Sequence, residues 1–247
     1  MKNEKLRLNK YIASSGYCSR RKADELIEAG MVCVNGQKVI ELGFLVTSKD
    51  KITIKNQLIK PQTLTYIRYY KPAGYITSME DEKGRKTIYD LLPQEVQNLK
   101  PVGRLDKDST GLLILTNDGD FINELTHPAV KVPKVYRVVA EGKLKINDLD
   151  IMEKGIEIEK GQMAYAYANI IDFEGKNTVL EIVLYQGLNR QIRKMLDFLG
   201  HPVISLKRLS MGPVDLQGLK RGQFKYLKPK QIQEIKNYIK KLKKNES

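Results

Sequence analysis

Pro101-Val-Gly-Arg-Leu-Asp-Lys-Asp-Ser-Thr-Gly-Leu-Leu-Ile-Leu-Thr-Asn-Asp-Gly119 divides into two parts of opposite character. The first is a loop rich in Asp, Ser, Thr and Gly. The second, Leu112 to Leu115, is apolar without alternation, which predicts a strand buried on both faces. A carboxylate held just ahead of such a strand is rigidly aimed and partly removed from water. Those are the conditions a catalytic acid, base or nucleophile needs. On residue types alone, Asp106 and Asp108 read rather as turn formers.

Downstream, Lys134-Val-Tyr-Arg-Val138 reads as a strand, and Thr178-Val-Leu-Glu-Ile-Val-Leu-Tyr185 as an alternating or buried one. The second leads into Gln186-Gly-Leu-Asn-Arg-Gln-Ile-Arg-Lys-Met-Leu-Asp-Phe-Leu-Gly200. Gly187 and Asn189 suit a tight turn, and a helix is expected from about Gln191 with Ile192, Met195, Leu196 and Leu199 as its apolar stripe. Arg190, Arg193 and Lys194 crowd its start, where cations least help folding. Upstream, Tyr66-Ile-Arg-Tyr-Tyr70 reads as a strand ending at Lys71-Pro-Ala-Gly74. Met79 to Lys86 has the composition of a mobile surface loop, and Thr87 to Leu99 reads as mostly helical, interrupted at Pro93.

The first sixty residues predict a separate α+β module. Leu6, Leu8, Tyr11 and Ile12 form a short helical stripe stopped near Gly16. Ser19 is the expected N-cap of a second helix that buries Ala23, Leu26 and Ile27 and stops at Gly30. Val32 to Val34 and Gln37 to Val39 flank Asn35-Gly36, a strong hairpin signal, and Lys51 to Ile54 is a further strand. Arg20, Arg21 and Lys22 fall in the first turn of the second helix, where each opposes the helix dipole by roughly 0.3–1 kcal/mol. Phosphates docked there reverse that sign, and Arg7 and Lys10 lie on the neighbouring helix. Residues 55–65 contain a proline and little periodicity, so the domain boundary is placed there.

The chain carries 43 Lys+Arg against 29 Asp+Glu, a net charge of +14 over 247 residues. Residues 1–60 account for +6 and residues 220–247 for +8, leaving the intervening body neutral. This predicts a polyanionic partner captured by basic ends, although a lysine-rich tail such as Tyr238 to Ser247 serves equally for solubility. No apolar stretch approaches the roughly 20 residues that span a bilayer, and the N-terminus lacks an apolar leader. Cys18 and Cys33 fit neither a zinc spacing nor a disulfide framework, so a reducing cytoplasm is expected. No phosphate-binding or dinucleotide glycine loop occurs, and His127 and His201, each before a proline, read as structural.

Arg7-Leu-Asn-Lys-Tyr-Ile12, Cys18-Ser-Arg-Arg-Lys-Ala-Asp24 and Val34-Asn-Gly36 resemble an S4 RNA-binding domain over residues 5 to about 55. Gly103-Arg-Leu-Asp106 with Gly111-Leu-Leu113, Lys134-Val-Tyr-Arg-Val138 and Asn189-Arg-Gln-Ile-Arg193 occur in the order of the RsuA-type family of bacterial ribosomal RNA pseudouridine synthases. The chain resembles that family over nearly its whole length, and most closely its large-subunit members. The resemblance implies isomerisation of uridine to pseudouridine with no metal, nucleotide or redox cofactor: uracil is detached from C1′, turned, and rejoined through C5. It implies Asp106 as the catalytic carboxylate, without choosing between addition to the base, addition to the sugar and a glycal route. It further implies Arg193 as the arginine that pairs with Asp106 and keeps it ionised, and Tyr136 as the tyrosine packed on the base. Arg104 is then the residue that helps hold the target out of its stack. Tyr70 and Leu188 resemble positions lining the pocket. Val135 departs from the family's commoner Glu.

The expected fold class is α+β: a small S4-like domain over 1–60, a linker over 61–65, and a catalytic domain of mixed, mainly antiparallel sheet over 66–237. A basic tail follows over 238–247. Arg104, Arg190, Arg7, Lys10, Arg20, Arg21 and Lys22 are the expected RNA contacts. The expected partner is a structured stem-loop of ribosomal RNA, free or in an assembly intermediate, bound by a cytoplasmic monomer without membrane contact. The alternatives are a non-catalytic RNA-binding or assembly factor and the same reaction on small-subunit RNA.

Overall fold

The computed structural model describes residues 5–79 and 81–245. The chain divides into two units. The first runs to Thr65 and takes in Asn117–Gly119; the second comprises Tyr66–Thr116 and the chain from Asp120.

The first unit contains β1 (Leu6–Arg7), α1 (Leu8–Ser14), α2 (Arg20–Glu28), β2 (Val32–Val34), β3 (Gln37–Val39), β4 (Leu45–Val46), β5 (Ile52–Ile54) and β6 (Gln57–Ile59). Its main sheet has the order β3-β2-β5-β6, antiparallel throughout. Asn35 and Gly36 take φ of 52° and 83°, the two left-handed residues that a tight hairpin of this twist requires. Ser19 caps α2 by accepting from the Lys22 amide, and Leu8, Ile12, Ala23 and Ile27 pack on Val32, Ile52 and Ile54. Two sequence expectations are corrected. Leu6 belongs to β1, where it pairs with Val46, and not to the first helix. Residues 57–59 are a strand: the positive φ of Lys55 and Asn56 turns the chain back, and Ile59 pairs with Ile52 and is buried.

The second unit contains β7 (Tyr66–Lys71), β8 (Lys100–Pro101), β9 (Thr110–Thr116), α3 (Gly119–Thr126, whose first residue groups with the first unit), β10 (Lys134–Ala140), α4 (Ile146–Lys154), β11 (Ile156–Glu159), β12 (Gln162–Ala164), β13 (Tyr167–Glu174), β14 (Asn177–Leu184), α5 (Gln191–Phe198), β15 (Val203–Met211), β16 (Val214–Asp215), β17 (Phe224–Tyr226) and α6 (Pro229–Asn245). The large sheet runs β13-β14-β10-β15-β9-β7-β17, with β8 paired to β9 and β16 to β15. Among its described strands only the β9–β15 pairing is parallel, so the sheet is mixed and mainly antiparallel.

Strand β9 explains the layering. Leu113 and Leu115 enter one core with Tyr136, Leu180, Ile192, Met195 and Leu196. Leu112 and Ile114 enter the core on the other face with Phe121, Leu125, Ile235 and Ile239. All four β9 side chains have no exposed surface, as the unbroken apolar run predicts. Gly111, at φ 111°, lets β9 approach β15: a Cβ there meets the Arg208 carbonyl oxygen at 2.2 Å.

Two further expectations change in this unit. Thr87 to Leu99 is not mostly helical but forms two short 3₁₀ turns, Ile88–Asp90 and Gln94–Val96. Thr87 and Asp90 close a capping box, and Pro93 prevents the two turns from merging. Residues 238–245 are not a separate tail but the end of α6, anchored by buried Ile235 and Ile239; Glu246 and Ser247 lie outside the described residues. In the polar run from Met79 to Lys86, Glu80 also lies outside them, and Arg85 pairs with Asp81 at 2.6 Å.

Candidate active site

The loop between β8 and β9 is held from beneath by a lysine. Lys71, the last residue of β7, is fully buried, and its Nζ donates to the carbonyls of Pro72, Asp106, Lys107 and Ser109 at 3.0, 3.0, 3.3 and 2.8 Å. Burial pushes its ammonium down to about 8, against the pull of the Asp106 and Asp108 carboxylates. The Thr77 hydroxyl donates to the Leu105 carbonyl at 2.8 Å, and the Gly74 amide to the Lys107 carbonyl at 2.8 Å. The Asp106 backbone is therefore fixed by neighbours about thirty residues away in sequence.

Above this loop opens a cleft of about 790 Å³, lined by the 102–109 loop, the 125–132 segment, β10, β15 and the start of α5. Asp106 enters it one-third exposed, and Arg190 Nη1 stands 3.7 Å from Asp106 Oδ2. Tyr136, on β10, lies on the buried floor at 8% exposure. Arg104 is exposed at the mouth, and Leu188 lines the wall.

The cation beside Asp106 in the structure is Arg190, and the expected partner Arg193 makes a different contact. Arg193 donates to the Val203 carbonyl at 3.3 Å and is not part of the cleft wall. Arg190 precedes α5 in a left-handed conformation, φ 50° and ψ 33°, which carries its side chain off the helix end toward Asp106. Arg193, one turn later, faces β15 instead. Tyr70 is also outside the cleft wall; its ring lies 5.4 Å from Lys207 Nζ. Arg7, Arg20, Arg21 and Lys22 are exposed and Lys10 half-buried, all in the first unit.

Two further cleft cations, Lys134 and Arg208, are not among the expected site residues. Lys134 donates to the carbonyls of Val132 at 3.1 Å and Gln186 at 3.5 Å. Burial, aided by the neighbouring Arg208 cation, pushes its ammonium down to about 8. It lies two residues before Tyr136 on the same face of β10, a placement that the strand period of two encodes. Arg208 sits opposite Tyr136 on β15, is 3% exposed, and donates through Nε to the Leu112 carbonyl at 2.7 Å. Nothing local in the sequence marks it. Among the described residues no group of three or more His, Cys, Asp or Glu side chains could hold a metal ion.

Five cations, Arg104, Lys131, Lys134, Arg190 and Arg208, line the cleft together with Asp106, the one carboxylate among the described residues of its wall. A site of this composition can draw in a polyanionic strand, offers a floor tyrosine to a flat group, and presents a carboxylate able to attack or take a proton. With a basic two-helix unit in the same chain, this defines an enzyme acting on RNA.

Comparisons with known proteins agree. A model of the family described as RNA pseudouridylate synthase matches residues 65–198, and one described as S4 domain matches residues 6–52. The chain is 39% identical over 232 residues to the ribosomal large subunit pseudouridine synthase B of Bacillus subtilis (strain 168), covering 93% of this chain and 95% of the relative. It is 35% identical over 224 residues to the dual-specificity RNA pseudouridine synthase RluF of Salmonella typhi, covering 90% and 75%. A solved structure, "Crystal structure of pseudouridylate synthase", superposes with a TM-score of 0.66 at 27% identity, covering 96% of this chain and 99% of that one. The chain belongs to the RNA pseudouridylate synthase family, with an S4 domain at its N-terminus.

Proposed function

We propose that this protein isomerises uridine to pseudouridine in large-subunit ribosomal RNA. Asp106 is the catalytic carboxylate, Arg190 the cation that orients it, and Tyr136 the ring against which the target base packs. The carrying observation is the 3.7 Å approach of Arg190 to Asp106 over the Tyr136 floor of a cationic cleft. In the reaction the C1′–N1 bond breaks, uracil turns, and C1′ bonds to C5; the C5 hydrogen leaves as a proton to solvent and N1 takes up a proton. A stacked uridine exposes neither atom, so the nucleotide leaves its stack at a cost of a few kcal/mol. Arg104, exposed at the mouth, fills the gap, and the cationic cleft offsets part of that cost.

The large-subunit assignment is supported by the Bacillus subtilis relative, a ribosomal large subunit pseudouridine synthase B that spans nearly the same length. The S4 domain, with Arg7, Lys10, Arg20, Arg21 and Lys22, holds a structured stem-loop, in free RNA or an assembly intermediate. The enzyme acts as a monomer in the cytoplasm. No described helix is long and apolar enough to cross a membrane.

The test is tritium release from ribosomal RNA transcribed with [5-³H]uridine. Wild type releases tritium from large-subunit transcript, and Asp106→Asn does not. Release that survives Asp106→Asn removes the carboxylate from its role; binding without release by wild type leaves a non-catalytic RNA-binding factor.

A further inference from the structure

The rim of the cleft carries three tyrosines that the chemistry above does not use. Tyr165, Tyr167 and Tyr185 are 44%, 50% and 42% exposed, whereas Tyr136 on the floor is 8% exposed. Half-exposed rings clustered at a functional opening need an explanation that a scattered surface tyrosine does not.

Their placement is built. The rings of Tyr167, at the start of β13, and Tyr185, just past β14, meet edge to face with centroids 5.9 Å apart and planes at 87°. Each ring limits the other's rotation. The Tyr165 ring lies against Gly155, where an added Cβ would come within 2.6 Å of its Cε1 atom. The Tyr165 amide donates to Gln186 Oε1 at 2.9 Å, and its carbonyl accepts from Gln191 Nε2 at 2.9 Å. Gln191 is buried at the first position of α5, directly after Arg190. The shelf is thus tied to the same helix start that supplies the cation facing Asp106.

We infer that these tyrosines form a stacking platform for an unpaired nucleobase next to the target uridine. This rests on the proposed function. Extruding one nucleotide strips its neighbour of a stacking partner, and an aromatic face beside the opening restores one. Tyrosine suits the task because it offers a large flat face with only two rotatable bonds to freeze. Charge selects the occupant: five cations and one carboxylate line the cleft, which favours a nucleic acid strand over an acid-poor peptide. Stacking reads any base, so the platform sets affinity and strand path while the floor of the cleft handles the uracil.

Two measurements on the full-length protein test this. The Tyr167→Ala/Tyr185→Ala variant should raise KM for large-subunit transcript by about 10–100-fold, the worth of one stacked base, with kcat changed by less than about 3-fold. Tyr167→Phe/Tyr185→Phe should restore wild-type KM, because the ring and not the hydroxyl stacks. The natural chain contains no tryptophan, so a single Tyr167→Trp substitution gives an isolated fluorescent reporter. Its emission should be quenched when the transcript binds, whereas that of Tyr226→Trp, on a strand outside the cleft wall, should not. An alanine variant with unchanged KM, or equal quenching at both positions, overturns the platform. Tritium release by wild type without quenching at position 167 overturns the platform alone. Quenching without any release by wild type supports the platform and overturns the catalytic reading.

Discussion

Arg190 Nη1 stands 3.7 Å from Asp106 Oδ2, and Arg190 reaches that position from a left-handed backbone at φ 50°. A non-glycine residue in that region is costly, of order 1 kcal/mol or more, and persists where the surroundings demand it. Both side chains are one-third to one-half exposed, so the pair adds only about 0–1 kcal/mol to stability. In the proposed reaction its value is orientation of the carboxylate. Arg190→Ala should therefore lower single-turnover tritium release by roughly 10²-fold while leaving the melting temperature nearly unchanged. Arg193→Ala should do the reverse, lowering the melting temperature and sparing the chemical step. Equal loss of rate in both would return the pairing role to Arg193.

Lys71 offers a second separation of roles. Its ammonium shares three N–H groups among four carbonyls in and around the loop that carries Asp106, and its side chain is buried beneath that loop. Lys71→Met should destabilise by about 1–3 kcal/mol, because buried carbonyls lose their donor. Loosening the Asp106 loop should also slow the chemical step by up to about 10²-fold at temperatures where the variant is fully folded. Thermal unfolding and single-turnover kinetics on the same sample check both. A variant as stable and as fast as wild type would show that the loop holds itself.

The approach of β9 to β15 gives a sharper structural test. A Cβ on Gly111 would lie 2.2 Å from the Arg208 carbonyl oxygen and 2.6 Å from its amide nitrogen, both rigid backbone atoms. Gly111→Ala should cost about 2–5 kcal/mol from overpacking and an unfavourable φ together. Gly36→Ala is the control: its φ of 83° is also unfavourable, but nothing lies within 4 Å of the added carbon. It should cost about 1 kcal/mol. Similar melting temperatures for the two variants would refute the close-approach explanation.

The parts of this fold legible in the sequence are those specified by neighbours a few residues apart. Leu112 to Leu115, the Asn35-Gly36 hairpin, the Ser19 cap and the Ile192/Met195/Leu196 stripe each follow from local period or turn chemistry. Thr87 to Leu99 misleads because Ile88, Leu92, Val96 and Leu99 have helical spacing, while burial against the sheet tolerates short turns around Pro93. Asp106 and Tyr136 are visible through motif resemblance. Arg208 and the hold of Lys71 on the Asp106 loop are not, because the carbonyls concerned lie 35 to 96 residues away. The choice between Arg190 and Arg193 depends on one residue's backbone region, and periodicity does not encode that.

The pH dependence of binding and of stability should run in opposite directions. Lys71 and Lys134 have their ammonium groups pushed down to about 8 by burial. Between that value and the ordinary lysine value the unfolded chain holds more protons than the folded one, so stability rises with pH. The Tyr69 phenol, pushed up to about 12 by burial, reverses this above about pH 10, where the unfolded chain releases protons first. RNA affinity should instead fall as pH rises through about 8, by roughly tenfold, as Lys134 gives up its charge. Lys134→Arg should keep its affinity at pH 9, and Lys134→Met should bind weakly and show a flatter profile. Filter binding across pH 7–9 reads this, and a wild-type profile matching that of Lys134→Met would remove the lysine from the interface.

The start of α2 carries Arg20, Arg21 and Lys22, and its first turn contains no acid. These cations oppose the helix dipole, so folding alone does not account for them. Lys22 also pairs with Glu25 at 2.6 Å, which makes Arg21 the simpler position to change. Arg21→Gln should be as stable as wild type, or a few tenths of a kcal/mol more stable, because an unfavourable charge–dipole interaction disappears. The same variant should bind ribosomal RNA less tightly, with a logarithmic salt dependence shallower by up to about 0.9, the value for one phosphate no longer neutralised on duplex-like RNA. Deleting residues 1–60 should flatten it further. Weaker binding with an unchanged salt slope would mean that Arg21 shapes the α2 surface without touching phosphate. A shallower slope at equal stability assigns Arg21 to the RNA backbone.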